Sequence, residues 1–152
     1  MARRARRELP EGIYHVTSRG TNHCAIYLDD VDRKTFLTLL GSVVFRNDWT
    51  CHAFCLMTNH YHLIVEAERP DLSRGMHRLN GRYAQLFNRR HGRDGHLFRG
   101  RYSVYVIDCE TRLEARCRYV IENPVRAGLC QTASDWPWSG CPSLGTVSGT
   151  VP

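Results

Sequence analysis

Lysine is almost absent: Lys34 stands alone, and every other residue among the 21 lysines and arginines is arginine. That excludes a basic surface built from ammonium point charges and leaves one built from planar guanidinium forks, which match phosphate oxygens and stack on nucleobases. An Arg-preferring codon usage produces the same bias without any mechanism. Long apolar runs are missing too. No stretch approaches the roughly 20 residues a membrane helix needs, and Met1 to Arg7 has no apolar segment of the signal-peptide kind. No membrane partner is expected, and the expected location is the cytoplasm, in association with the nucleoid. There is no P-loop signature, which argues against chemistry driven by a bound nucleoside triphosphate. No strand carries the Gly-Phe-rich aromatic signature of RNA-binding sheets. Internal repeats are absent. The seven cysteines are odd in number and accompany no export signal, so they read as reduced, mostly buried small hydrophobes.

What is present fits one ordinary domain. The chain has 152 residues, 42% of them hydrophobic, enough to bury a core but not two. A net charge of +6 implies an anionic partner. The expected organisation is a basic arm over 1–11, a folded domain over 12–141 and a disordered tail over 142–152. Ile13 to Ser18 reads as a first strand. Phe36, Leu39, Leu40, Val43 and Val44 recur at helical spacing after a cap at Asp30 and stop at Asn47-Asp48. Cys51–Thr58 and Tyr61–Ala67 read as a tight antiparallel hairpin ending at Arg69-Pro70. Leu72, Met76, Leu79, Tyr83 and Leu86 give a second helix capped at Asp71 and ended by Gly92, and Tyr102–Ile107 a fourth strand. A third helix is expected from the capping box Thr111-x-x-Glu114, with core residues Leu113, Cys117, Val120 and Ile121 and closure at Pro124.

Three features of this layout bear chemistry. In Asn59-His60-Tyr61-His62 a strand places His60 and His62 on one face, so two imidazoles can meet one ion and leave positions open for water or phosphate; an isolated H-x-H pair is more often a pair of surface or hydrogen-bonded histidines than a ligand pair. On the second helix, Arg74, Arg78, Arg82 and Arg89 fall within about a quarter turn of one another. This ridge continues into Arg90, Arg93, Arg99 and Arg101, and reads as phosphate-contacting, against the alternative of a solvated face. On the third helix Tyr119 lies opposite the apolar stripe with Asn123 one turn on, which by spacing alone describes an exposed aromatic with no task or one buried by a loop.

Three separated stretches then resemble one family. Met57-Thr-Asn-His-Tyr-His-Leu-Ile-Val65, the run from Tyr83 to Tyr102, and Arg118-Tyr-Val-Ile-Glu-Asn-Pro-Val-Arg-Ala-Gly-Leu129 are similar, in this order, to the single-domain Y1-type HUH transposases of the IS200-like group, and most of all to the REP-associated tyrosine transposases. The resemblance runs from Gly12 to Trp138. It implies an α+β fold, a ferredoxin-like (RRM-like) antiparallel sheet with helices packed on one face. It also implies that His60 and His62 bind metal, that Asn123 helps complete the metal site and that Tyr119 is the nucleophile. Ile121, where many relatives carry His, and Tyr61, bulkier than the usual aliphatic, depart from the pattern without removing a group the chemistry needs.

The activity so implied is cleavage and rejoining of single-stranded DNA beside a hairpin, through a covalent 5′-phosphotyrosine and with Mg²⁺ or Mn²⁺ as cofactor, by a monomer or homodimer. The rival reading is a non-catalytic RRM-like nucleic-acid binder whose histidines are structural. A third reading, a zinc site of Cys51, Cys55, His60 and His62, is disfavoured because the two cysteines lie about 13 Å apart at strand rise.

Overall fold

Alternation along β1 (Gly12–Arg19) and β3 (His60–Ala67) divides the molecule into two layers about one sheet. The computed structural model describes residues 12–67, 72–141 and 146–147. Tyr14, Val16, Tyr61, Leu63 and Val65 turn to one face, while His15, Thr17, Arg19, His60, His62 and Ile64 turn to the other, the period of two that a pleated strand imposes. β1 pairs antiparallel with β3, setting Thr17 opposite His62 and Arg19 opposite His60. β2 (Thr50–Leu56) flanks β3, and β4 (Ser103–Ile107) flanks β1.

With α1 (Asp30–Arg46) between β1 and β2, and α2 (Leu72–His91) between β3 and β4, the order β4-β1-β3-β2 is the expected ferredoxin-like unit. Two short strands, β5 (Ser139–Cys141) and β6 (Thr146–Val147), extend it beyond β2 to six strands. Thr146–Val147 thus forms a strand where a disordered tail was expected; the arm over 1–11, Arg69-Pro70, Asp71 and the rest of the tail lie outside the described residues.

α1 and α2 bury one face. Phe36, Leu40 and Val43 of α1 and Met76, Leu79, Tyr83 and Phe87 of α2 close over Tyr14, Phe54 and Tyr61 in an aromatic-rich core. Phe87 takes the place expected of Leu86, being one turn beyond Tyr83. Gly75 is required where α2 crosses Trp49, because a Cβ there would lie 2.4 Å from the indole ring. The cap of α1 is Asp29 rather than Asp30: its carboxylate accepts from the Asp32 amide at 3.1 Å.

The third helix departs from a one-sided arrangement. α3 (Glu110–Ile121) covers the opposite face, with Cys117, Val120 and Ile121 packed on Ala53, Cys55, Met57 and Ile64. It begins one residue before Thr111, with Cys109 at the cap and no side-chain cap bond, so the expected capping box does not form. Nor does Pro124 simply end it. Glu122 closes α3 and opens α4 (Asn123–Arg126), whose first turn tolerates a proline that has no N–H to offer. The helix is interrupted here by one residue, and Asn123 at the start of α4 belongs to the site.

Candidate active site

His60 and His62 emerge on the α3 side of the sheet, immediately after the turn at Thr58-Asn59, their ring centroids 5.0 Å apart. Each ring is tethered through Nδ1. Asn59 Oδ1 accepts from His60 Nδ1 at 2.7 Å, which fixes the hydrogen on Nδ1 and leaves Nε2 its lone pair. His62 Nδ1 lies 2.9 Å from His15 Nε2 and 3.2 Å from Thr17 Oγ1, while its Nε2 faces the Asn123 amide nitrogen at 2.9 Å. An amide nitrogen only donates, so His62 Nε2 is the acceptor and Nδ1 carries the hydrogen. Both strand histidines therefore present an unprotonated Nε2.

Burial sets their charge. It lowers His60 to about 4, with the Arg19 guanidinium adding to the effect. It lowers His62 to about 3, assisted by His15, His60, Arg19 and Arg126. His15 falls to about 4 through burial and Arg116. All three rings are neutral near pH 7, the form that can ligate a metal. A stability consequence follows from the sign of these shifts. Between the ordinary 6.5 and about 4 the unfolded chain takes up protons that the folded His15 and His60 refuse, with His62 extending the window to about 3. The contribution is complete above pH 6.5 and lost as pH falls through that window. The melting temperature of metal-free protein should drop by several degrees from pH 7 to pH 4, and His15→Gln should flatten part of the drop; a profile level across the window would show that the histidines titrate alike in both states.

α3 carries Tyr119 to the same place. Its ring is 44% exposed and stands edge-on to His62 at 6.3 Å and to His15 at 6.2 Å. The exposure expected from spacing is present, and the ring is also aimed at the histidines. Asn123 opens α4 directly over His62. The donors fit a divalent ion: His60 Nε2 has a free lone pair, and His62 Nε2, which here accepts from the Asn123 amide, is released to an ion once that amide rotates to present its oxygen instead. Among the described residues no group of three or more His, Cys, Asp and Glu side chains could hold a metal, so a protein-bound ion here would rest on two histidines and the amide. The zinc set does not assemble. The register shift between Cys51 and Ala53 sends Cys51 to the α1–α2 core and Cys55 to the α3 side.

Sequence reasoning missed His15, Thr17, Arg19, Arg116 and Arg126. The polar alternation His15-Thr17-Arg19 on β1 was available as a signal, but its meaning depends on the register that places Thr17 beside His62. The predicted arginines divide. Arg74, Arg78, Arg82 and Arg89 are exposed on α2, which packs on the sheet face opposite the histidines. Exposed Arg99 and Arg101 lie in the loop before β4, and the Arg99 amide donates to the Arg19 carbonyl at 2.8 Å, bringing that loop to the histidine end of the sheet. Arg90 differs from them in being ion-paired within the fold, with Asp29 at 2.6 Å and Asp32 at 2.7 Å. Arg93 is half-buried, with Nη2 3.6 Å from Cys24 Sγ.

Comparison with known proteins gives a consistent picture. The family model described as Transposase IS200 like matches residues 10–123. The structure of a REP-associated tyrosine transposase bound to a REP hairpin aligns with a TM-score of 0.75 at 18% identity, covering 100% of this chain and 94% of that one. A crystal structure from Deinococcus radiodurans R1, described as a candidate transposase, aligns with a TM-score of 0.52 at 19% identity over 78% of this chain and 95% of that one. No curated protein matches the chain.

Proposed function

Because the chain belongs to the IS200-like transposase family, we propose that it cuts and rejoins single-stranded DNA beside a hairpin through a covalent phosphotyrosine at Tyr119. The observation that carries this reading is convergence. Tyr119 and Asn123, at the α3–α4 junction, meet His60 and His62 on β3 across a sheet face that otherwise buries apolar side chains. The REP hairpin bound by the structural neighbour supports a DNA hairpin as the partner here.

The chain's own groups divide the labour. Tyr119 Oη attacks phosphorus and bonds to it, and the bond from phosphorus to the 3′ oxygen breaks. The phenolic proton passes to solvent, and the departing oxygen takes a proton from solvent to leave as a 3′ hydroxyl. The 5′ phosphate stays on the tyrosine. Attack by a 3′ hydroxyl reverses each bond change, so the phosphoester energy is conserved and no nucleotide cofactor is consumed. His60, His62 and Asn123 would hold Mg²⁺ or Mn²⁺, imidazole suiting Mn²⁺ better, and the ion when bound neutralises the phosphodiester oxygens that repel a nucleophile. His15 and Thr17 fix the His62 ring and its tautomer. Arg19, Arg116 and Arg126 keep the field around the site positive.

The α2 ridge serves binding rather than cleavage, since it lies on the far face. A strand leaving the site must pass a sheet edge to reach it, and the loop carrying Arg99 and Arg101 is the route that starts nearest the histidines. Replacing Arg74, Arg78 and Arg82 together with Ala should weaken binding of unrelated strands alike and flatten the plot of log affinity against log salt by roughly 0.7 per lost phosphate contact. A slope equal to the wild type's would reduce the ridge to a solvated face.

The activity is tested with a hairpin strand carrying single-stranded flanks, incubated with Mn²⁺. The reading requires a 5′ fragment that a polymerase can extend, which reports a free 3′ hydroxyl. Binding without any fragment would favour the non-catalytic reading.

A further inference from the structure

A nucleophilic phenol at the end of a helix has two free side-chain torsions, and nearly half of the Tyr119 surface is open to water. Its contacts with His15 and His62 are edge-on, at 6.2 and 6.3 Å, too loose to hold the ring against rotation. The holding group comes from further along the chain. In a continuous helix residue 126 would sit on the same face as residue 119, but about 10 Å along the axis. The side chain spans that distance by reaching back toward the preceding turns across the break between α3 and α4. The Arg126 guanidinium lies 4.1 Å from the Tyr119 ring centroid, its Nη2 donates to the carbonyl of Tyr119 itself, and its Nη1 is 3.8 Å from the Glu122 carboxylate. A planar cation tied at two further points and laid on a ring is a clamp rather than a free surface charge. Arg116 gives a looser second hold: it lies 5.8 Å from the Tyr119 ring and is itself seated 3.9 Å from the ring of Tyr105 on β4.

We propose that Arg126, with Arg116 as a weaker second arm, is a positioning residue that keeps the Tyr119 ring turned toward His62. This rests on the reading of Tyr119 as the nucleophile. A group acting this way raises the fraction of time the hydroxyl spends aimed at the scissile phosphate, so it belongs to the rate of the chemical step and not to the affinity for DNA.

The test uses the full chain with Arg126→Met, which keeps the aliphatic stem, Arg126→Lys, which keeps the charge and loses the planar fork, and Arg116→Met. Adduct formation is followed in single turnover on a hairpin-bearing strand with Mn²⁺, beside strand affinity, melting temperature and the ¹⁹F resonance of 3-fluorotyrosine placed at position 119 in DNA-free protein. Arg126→Met should slow adduct formation about tenfold and Arg116→Met roughly threefold, with affinity held within about twofold and melting unchanged. Arg126→Lys should recover part of the loss, and the ¹⁹F resonance should move toward its position in an unstructured peptide in Arg126→Met. An unchanged rate in Arg126→Met overturns the proposal, as does a rate loss matched by an equal loss of affinity, which would make Arg126 a phosphate contact. If Arg126→Met does not fold, Arg126→Lys with wild-type melting must still be slower, and wild-type speed in it overturns the proposal. A wild type that forms no adduct on any strand sinks the nucleophile assignment and this proposal with it, an outcome distinct from adduct formation that ignores Arg126.

Discussion

Tyr119→Phe folds, binds the hairpin strand and forms no covalent adduct. Folding should survive because the residue is 44% exposed and phenylalanine keeps the ring that stands against His15 and His62 and beneath Arg126, so the cost stays within about 0.5 kcal/mol. Binding should survive because the arginine surfaces are untouched. Covalent chemistry cannot, since phenylalanine has no oxygen with which to bond phosphorus, and adduct formation should fall by at least about a thousandfold. The rival nucleophiles are now few. Tyr83 and Tyr102 are 1% and 7% exposed and packed in the α1–α2 core, out of reach of a strand at the histidine pair. Tyr105 is 45% exposed and reaches the same neighbourhood through Arg116, so an adduct that persists in Tyr119→Phe would point to it.

His60→Ala and His62→Ala should abolish cleavage while hairpin binding persists, and EDTA should reproduce both variants with the wild-type chain. The two differ in structural cost. His62 is 7% exposed, and removing it strips a hydrogen-bond partner from His15 or Thr17 and from Asn123, a loss of about 1–3 kcal/mol. His60 gives up one bond to Asn59 at the surface turn, so His60→Ala should melt near the wild type. His60→Ala is therefore the cleaner test: lost cleavage with intact melting and binding places the defect in the chemistry. Undiminished cleavage in EDTA would remove the metal from the account and return the pair to a structural role.

How much of this was legible in the sequence depends on how local each feature is. The face shared by His60 and His62 follows from a period of two within three residues, and it held. The βαββαβ order followed from helix and strand periodicities in single segments. Tyr119 could be placed opposite an apolar stripe, but its task could not be read from spacing, because that requires knowing which sheet face α3 covers. One clue was available. Leu63-Ile64-Val65 is apolar without interruption, as in a strand covered on both faces, so a helix was needed on the side opposite α1 and α2. His15 and Thr17 were invisible for a different reason: their role exists only in the register that sets Thr17 against His62. Arg126 sits in α4, a helical turn after Asn123 where the sequence suggested only an end. The ion pairs of Arg90 with Asp29 and Asp32 join residues some sixty positions apart, so no local spacing could show them.

Peptide mapping of the adduct tests the central claim most directly. A hairpin strand labelled on the 3′ side of the cut is incubated with the wild type and Mn²⁺, denatured and digested, and the labelled peptide is sequenced by mass spectrometry. The account predicts a nucleotide phosphate on Tyr119, in the peptide from Tyr119 to Arg126, and a free 3′ hydroxyl on the other fragment. Label on Tyr105, label on the 5′ side of the cut, or cleavage with no covalent peptide at all would contradict it.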